Sequence, residues 1–208
     1  MTKGRKILTT LLIVAVCVLC VIIVFIWYFW KGKFNSDVYN RICSNIKIGD
    51  ITISMPFTVD ELGDEFDIKI KSTYKGSAFG YIMHDEKIVM NVGADIIGDD
   101  VRKYPIDFVV IADYAGYYGN NKAIDDALIK DISVDGIKCG ASKRDVIRKY
   151  GKPAYRDDFE IDGEEFGYYP GSENFDQRYD YCPIIYKFDK TGESGKVDYI
   201  YIDYISRH

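Results

Sequence analysis

The hydrophobic pattern of the chain changes once, near residue 30. From Ile7 to Trp30 there are 24 consecutive residues without a charge, most of them aliphatic or aromatic. At about 1.5 Å per residue this segment makes roughly 36 Å of helix, enough for a hydrocarbon layer of about 30 Å. Aromatic residues crowd its C-terminal end, as is typical of a membrane interface. The pattern predicts a transmembrane helix from Ile7 to Trp30.

Basic residues favour one orientation of this helix. Lys3, Arg5 and Lys6 lie before it together with the amino terminus, whereas Lys31 and Lys33 follow it. The side with more positive charge is expected to be cytoplasmic. We therefore predict a single-pass protein of the cell membrane, with residues 1–6 as a cytoplasmic tail and the remaining domain outside the cytoplasm.

Two other interpretations of this segment fit the residues less well. A cleaved secretory signal has a shorter apolar stretch, of about 7–15 residues, and a small-residue cleavage site. This stretch is longer and ends in bulky aromatic residues. Lipid attachment would require a small residue before the cysteine, but Cys17 follows Val16 and Cys20 follows Leu19. The sequence therefore favours an uncleaved signal-anchor.

The rest of the chain contains a faint internal repeat. The segment from Ile53 to Leu62 aligns without a gap with the segment from Ile137 to Val146, at an offset of 84 residues. Thr58 and Ser142 occupy equivalent positions in the two segments. Each suits the N-cap of a helix, because an acidic residue follows three positions later and can complete a capping box. The repeat predicts two related helix starts.

The second of these helices also has a clear end. Gly151 suits the left-handed position that follows a helix, and Pro153 cannot continue one. We expect a helix of about two turns from Ser142 to Tyr150.

After each helix the apolar period shortens to two, which is typical of strands. We therefore expect an α+β fold: one N-terminal transmembrane helix, then two tandem units of short helix plus antiparallel sheet. A polar tether at residues 31–48 would lead to the units at residues 49–130 and 131–208. The predicted strands are Phe79–Met83, Ile88–Val92, Ile106–Ala112, Phe166–Tyr169, Tyr179–Phe188 and Val197–Ile205.

The segment from Gly140 to Pro153 resembles a known module. Its residues, GASKRDVIRKYGKP, match the pattern G-x-S-x-x-x-V-x-x-x-x-G-x-P of the β-lactamase-inhibitor-protein-like repeat, a pattern shared with small outer-membrane lipoproteins of the envelope assembly machinery. In that family a short helical pair leads into an antiparallel sheet, and tandem copies can place their sheets side by side. The resemblance implies an envelope protein that binds other proteins and is not an enzyme.

The charge balance narrows the range of partners. All 32 acidic residues lie at or after Asp37, whereas five of the 27 basic residues precede it, so the chain from Asp37 onwards has a formal net charge of −10. Nucleic-acid binding requires a basic face that neutralises phosphates. We therefore expect no nucleic-acid partner.

Recognisable catalytic or metal-binding chemistry is missing from the sequence. His84 lies in a predicted hairpin turn and His208 at the chain end, neither in a recognisable catalytic context. The acidic run from Asp157 to Glu165 imitates the opening of a calcium loop, but Tyr169 stands where the closing glutamate should be, so we expect a solvated loop. We predict no enzyme activity, no cofactor and no metal. A disulfide is left open among Cys43, Cys139 and Cys182.

Tyrosine is abundant, with 18 residues in the chain. Its ring offers a large contact area with a polar tip, which suits a binding face, although tyrosine is also common in packed strands. The possible binding face consists of Tyr168, Tyr169, Tyr181, Tyr186, Tyr199 and Tyr201.

Together these patterns predict a membrane-anchored, extracytoplasmic, non-catalytic binding or scaffolding protein of the bacterial cell envelope. Its partners would be the membrane, through Ile7 to Trp30, and a protein. The alternative is an envelope sensor domain that binds a small ligand or ion through the acidic loops.

Overall fold

A computed structural model gives the structure of the chain. It describes residues 3–112, 123–153, 155–159, 163–168, 184–190 and 194–204. Within these ranges, the side chains of residues 3–12, 27–36 and 155–159 are not described.

Most of the described secondary structure is β-strand. The helices are α1 (Lys3–Cys43), α2 (Asp126–Asp131) and α3 (Lys143–Tyr150), with 3-10 turns at Val59–Glu61 and Val101–Lys103. The strands are β1 (Ile46–Ile48), β2 (Ile51–Ile53), β3 (Phe66–Tyr74), β4 (Ser77–His84), β5 (Lys87–Asp95), β6 (Ile106–Ala112), β7 (Ser133–Val134), β8 (Tyr155–Phe159), β9 (Gly163–Tyr168), β10 (Ile184–Phe188) and β11 (Val197–Asp203).

The strands form two antiparallel sheets. One has three strands in the order β2-β1-β7, and the other has eight in the order β3-β4-β5-β6-β11-β10-β9-β8. The predicted α+β class is therefore wrong, because β-sheet dominates and the helices that accompany it are few. The two halves of the chain also share one sheet, since β6 pairs with β11 across the middle.

The strand order is symmetric about that central pair. The strands β3 to β6 run in sequence order towards the centre from one side, and β8 to β11 do so from the other. In the small sheet Ile46 of β1 pairs with Val134 of β7, which is a second contact between the two halves. The order is that of two similar meanders related by an approximate two-fold axis.

Backbone hydrogen bonds place the two segments of the repeat in similar positions. Phe57 exchanges two bonds with Ile106, the first residue of β6, at 3.2 and 2.7 Å. Ala141, which stands 84 positions after Phe57, accepts a bond of 2.9 Å from Val197, the first residue of β11. Each half therefore ties the residue before its helical segment to the start of its last strand.

The two helix starts differ in length. Ser142 is the N-cap of α3 and accepts a hydrogen bond from the Asp145 amide at 3.2 Å, and Gly151 follows the helix with a φ of 76°, as predicted. Thr58 begins only a single 3-10 turn, although its amide does donate to Glu61 at 2.9 Å. Gly63 follows the C-cap residue Leu62 with a φ of 101°, which a helix cannot contain, so the chain passes into β3.

The C-terminal end of α1 belongs to the core. Val38, Tyr39, Ile42 and Cys43 are all buried, and burial raises the pKa of the Cys43 thiol to about 12. Helix α1 and strand β1 therefore occupy residues 31–43 and 46–48, where a polar tether was expected at residues 31–48.

The prediction of a membrane helix from Ile7 to Trp30 is contradicted. The side chains of this segment are described only from Ile13 to Ile26, and all of them are exposed. Among the residues that the structure describes, no helix is long and apolar enough to cross a membrane. The single-pass topology, with a cytoplasmic N-terminus and an external domain, is not supported either.

Candidate protein-binding face

The predicted tyrosine face is divided between the two sides of the large sheet. Tyr168 and Tyr186 point to the inner face, which packs in the core, and both are buried. Tyr199 and Tyr201 are half-buried and alternate with the buried Ile200, which places them on the outer face. Tyr169 and Tyr181 lie outside the described residues.

The inner tyrosines form a structural cluster with Tyr150 of α3. Ring centroids lie 5.4 Å apart for Tyr150 and Tyr168, and 5.7 Å apart for Tyr150 and Tyr186. The Tyr186 hydroxyl donates to that of Tyr150, which donates to the carbonyl of Val134, at 3.3 and 3.2 Å. Burial raises the pKa of the Tyr186 hydroxyl well above its ordinary value. This cluster packs α3 onto the sheet.

The outer face carries a row of aromatic rings across the centre of the sheet. Phe79 of β4 meets Phe108 of β6 edge-on at 6.4 Å between centroids, and Phe108 meets Tyr201 of β11 at 5.2 Å. The Phe79 side chain remains 41% exposed. The tyrosine count did not indicate Phe79 or Phe108, and only Phe79 alternates with buried neighbours along its strand.

A glycine beneath the row lets two of its rings approach. A Cβ atom at Gly93 of β5 would lie 3.1 Å from the Cβ of Phe108 and 3.3 Å from the Phe79 ring. A larger residue there would push the rings apart. The position therefore sets the spacing of the aromatic row.

Charged groups border the row on its second-half side. The Tyr199 hydroxyl donates to Glu165 at 3.1 Å, and the Lys187 ammonium lies 5.6 Å from the Tyr199 ring centroid. The Tyr201 hydroxyl donates to Asp203 at 3.4 Å. An apolar centre with a polar border is the usual composition of a protein–protein interface.

The ionised form of the Asp107 carboxyl group, on β6 near the sheet centre, is disfavoured. Burial, followed by the neighbouring charge of Asp95, raises the pKa of Asp107 to about 6. Asp203 adds to the same effect. Asp107 is thus protonated far more readily than an exposed aspartate.

The acidic run contributes to a hairpin and to the core. Asp157 lies in β8 and pairs along the backbone with Glu165 of β9, where a solvated loop was expected. Glu164 is fully buried and forms an ion pair with Lys143, the first residue of α3. The Lys143 ammonium lies 5.3 Å from the ring centroid of Phe166. This ion pair could not be predicted from the sequence, because its two residues lie in different elements of the chain.

The predicted hairpin turn at His84 is confirmed, but the histidine is not simply exposed. Asp85 and Glu86 complete the turn with φ values of 48° and 63°. The His84 Nδ1 atom lies 2.9 Å from Asp125, whose side chain caps α2. This contact lowers the pKa of Asp125. Among the described residues no cluster of three or more histidine, cysteine or acidic side chains has the arrangement of a metal site.

Comparison with known proteins found no family model, no curated protein and no solved structure that matches the chain. The likeness of the Gly140–Pro153 segment to the β-lactamase-inhibitor-protein-like repeat is therefore a resemblance of sequence pattern alone.

Proposed function

We propose that this chain is a non-catalytic binding protein and that the outer face of its eight-stranded sheet binds another protein. The observation that carries the proposal is the aromatic row formed by Phe79, Phe108 and Tyr201, with a 41% exposed phenylalanine at one end. Large aromatic side chains at a solvent-accessible surface supply much of the energy of protein association.

The extent of the face suits a protein better than a small molecule. From β4 to β10 the outer face spans five strands, or about 19 Å at roughly 4.8 Å between neighbours. Small ligands prefer concave sites that enclose most of their surface, whereas a broad sheet face offers an open contact. The size therefore favours a macromolecular partner.

The symmetry of the fold supports the same proposal. The row crosses the junction of β6 and β11, so both halves contribute to one continuous surface. The resemblance of the second half to a protein-binding repeat implies this kind of use. The proposal does not depend on a membrane anchor.

Site-specific photo-crosslinking tests the proposal. A photoreactive phenylalanine analogue at Phe108 should capture a discrete partner from an extract of the cells that produce the chain. The control position is Lys130, an exposed residue on α2. The capture at Phe108 should be competed by the unmodified protein.

Equal capture at Phe108 and Lys130, or capture that the unmodified protein does not compete, would contradict the proposal. A fold check by circular dichroism accompanies each variant, so that loss of structure is not mistaken for loss of binding.

A further inference from the structure

The hairpin of β3 and β4 differs in charge from the rest of this acidic chain. From Ile68 to His84 there is no aspartate or glutamate, whereas Lys69, Lys71 and Lys75 all lie in this stretch. The three lysines are exposed. The part of the hairpin beyond Asp67 thus carries a net positive charge within a chain whose formal net charge is −5, and Asp67, Asp85 and Glu86 lie at its border.

Aromatic rings accompany these lysines. The Lys71 ammonium lies 5.8 Å from the Tyr81 ring centroid, and the Lys75 ammonium lies 5.2 Å from that of Tyr74. Tyr74 is 66% exposed. Phe79, which ends the aromatic row of the outer face, belongs to the same hairpin. The basic surface and the proposed binding face are therefore continuous.

The edge of β3 is protected at its beginning. The Phe66 amide donates to Gly63 at 3.3 Å, and the Phe66 carbonyl accepts from the Arg102 guanidinium at 2.6 Å. The Ile68 amide donates to the Asp67 carboxylate at 2.8 Å. Backbone groups that face away from β4 thus have local partners as far as Ile68.

Beyond Ile68 this protection ends. β3 is the last strand on its side of the sheet, and in the described part of the chain β4 alone pairs with the segment from Ile70 to Tyr74, with a β-bulge between Ile70 and Ser72. Ser72, Thr73 and Tyr74 are exposed. An open strand edge offers its amides and carbonyls to an added strand.

We propose that the open edge of β3, from Ile70 to Tyr74, binds an extended acidic segment of the protein partner as an added antiparallel or parallel strand. Lys69 and Lys71 select its negative charge, and the edge supplies backbone hydrogen bonds. This inference rests on the proposed function and names the chemistry of the partner.

The backbone edge distinguishes this partner from other anionic molecules. Lipid headgroups and nucleic acids can pair with lysines, but they have no regular row of amides and carbonyls to match a strand. A second copy of β3 is disfavoured, because the lysines of the two copies would face each other. An acidic polypeptide satisfies both the charge and the hydrogen-bonding requirement.

Peptide binding to the full chain tests the inference. The probe is a short synthetic peptide of alternating glutamate and valine, measured by fluorescence anisotropy. Two matched peptides carry lysine in place of glutamate, or N-methyl groups on alternate residues that block backbone pairing. We expect the unmodified acidic peptide to bind and the two matched peptides not to bind. When the acidic peptide is bound, hydrogen exchange at the amides from Ile70 to Tyr74 should slow.

Charge-reversing variants complete the test. The double variant Lys69→Glu/Lys71→Glu should weaken acidic-peptide binding by about tenfold or more, since like charges would then meet. Lys130→Glu makes the same type of change at an exposed site elsewhere and should leave binding nearly unchanged.

Three results would overturn the inference: no binding of the acidic peptide, equal binding of its N-methylated form, or an unchanged affinity in the double variant. Failure here leaves photo-crosslinking at Phe108 unaffected, so the outer-face proposal would stand alone. Loss of specific crosslinking at Phe108 together with intact peptide binding would contradict the outer-face proposal and leave the strand edge as a separate binding site.

Discussion

The two halves of the large sheet have the same strand order and fill their inner faces differently. In the first half Ala78 pairs with Ala94, which pairs with Ile106. At the corresponding place in the second half, Glu164 pairs with Phe188, which pairs with Val197. Small residues thus occupy the first half where a charged and an aromatic residue occupy the second.

The segment before each helical element shows the reverse difference. Phe57 is almost fully buried in the first half, whereas the residue 84 positions later is Ala141. At the first residue of each helical element Val59 corresponds to Lys143, and both are buried. Because interiors are close-packed, a large ring on one layer requires small residues on the facing layer. The same strand order therefore holds two differently packed cores: the first half is apolar at these positions, and the second half contains the ion pair of Lys143 and Glu164.

The largest expected effect comes from breaking that ion pair. Lys143→Met leaves the buried Glu164 carboxylate without its cation and should cost about 3–5 kcal/mol of unfolding free energy. The double variant Lys143→Met/Glu164→Leu makes the second half apolar like the first and should recover most of this loss. Chemical denaturation measures both variants. A double variant as unstable as the single one would show that apolar residues cannot replace the ion pair in the second half.

A smaller effect is expected at Asp107, near the sheet centre. Its folded pKa of about 6 lies above the ordinary 3.8, so the charged form is disfavoured in the folded state. The contribution of this group to stability should therefore rise as the pH falls from about 6 to about 4, and be least favourable above 6. Asp107→Asn should stabilise the protein at neutral pH and remove this component. Chemical denaturation of the wild type and of Asp107→Asn at several pH values checks this prediction. The prediction is wrong if both proteins show the same dependence of unfolding free energy on pH.

The helix caps provide a matched pair of smaller changes. Ser142→Ala should cost about 1 kcal/mol, because its hydroxyl accepts from the Asp145 amide at the start of a two-turn helix. Thr58→Ala should cost less, since it precedes only one 3-10 turn. Thermal or chemical unfolding compares the two variants. Equal losses of unfolding free energy would contradict this expectation. They would mean that the 3-10 turn at Val59–Glu61 stabilises the first half as much as α3 stabilises the second.

Local signals in the sequence predicted local structure well. The Ser142 cap, the Gly151 stop, the hairpin turn at His84 and the strand Ile106–Ala112 all depend on neighbouring residues, and the structure confirms them.

Features that depend on distant residues were not predictable in this way. The burial of Glu164 requires Lys143, which lies across the core, and acidic residues have a low preference for strands. The sharing of one sheet by both halves depends on the pairing of β6 with β11. Of the predicted tyrosine face, Tyr199 and Tyr201 lie on the outer side, whereas Tyr168 and Tyr186 pack inside.

The most direct test of the account compares an outer change with an inner one. Phe79→Ser/Tyr201→Ser alters the outer row, and Tyr186→Phe removes one buried hydroxyl from the inner cluster. Each variant also carries the photoreactive residue at Phe108. We expect the outer variant to lose partner capture while its unfolding midpoint changes little, and the inner variant to lose about 1 kcal/mol of stability while capture persists. Capture that survives the outer change, or disappears with the inner one, would contradict the assignment of the outer face as the binding surface.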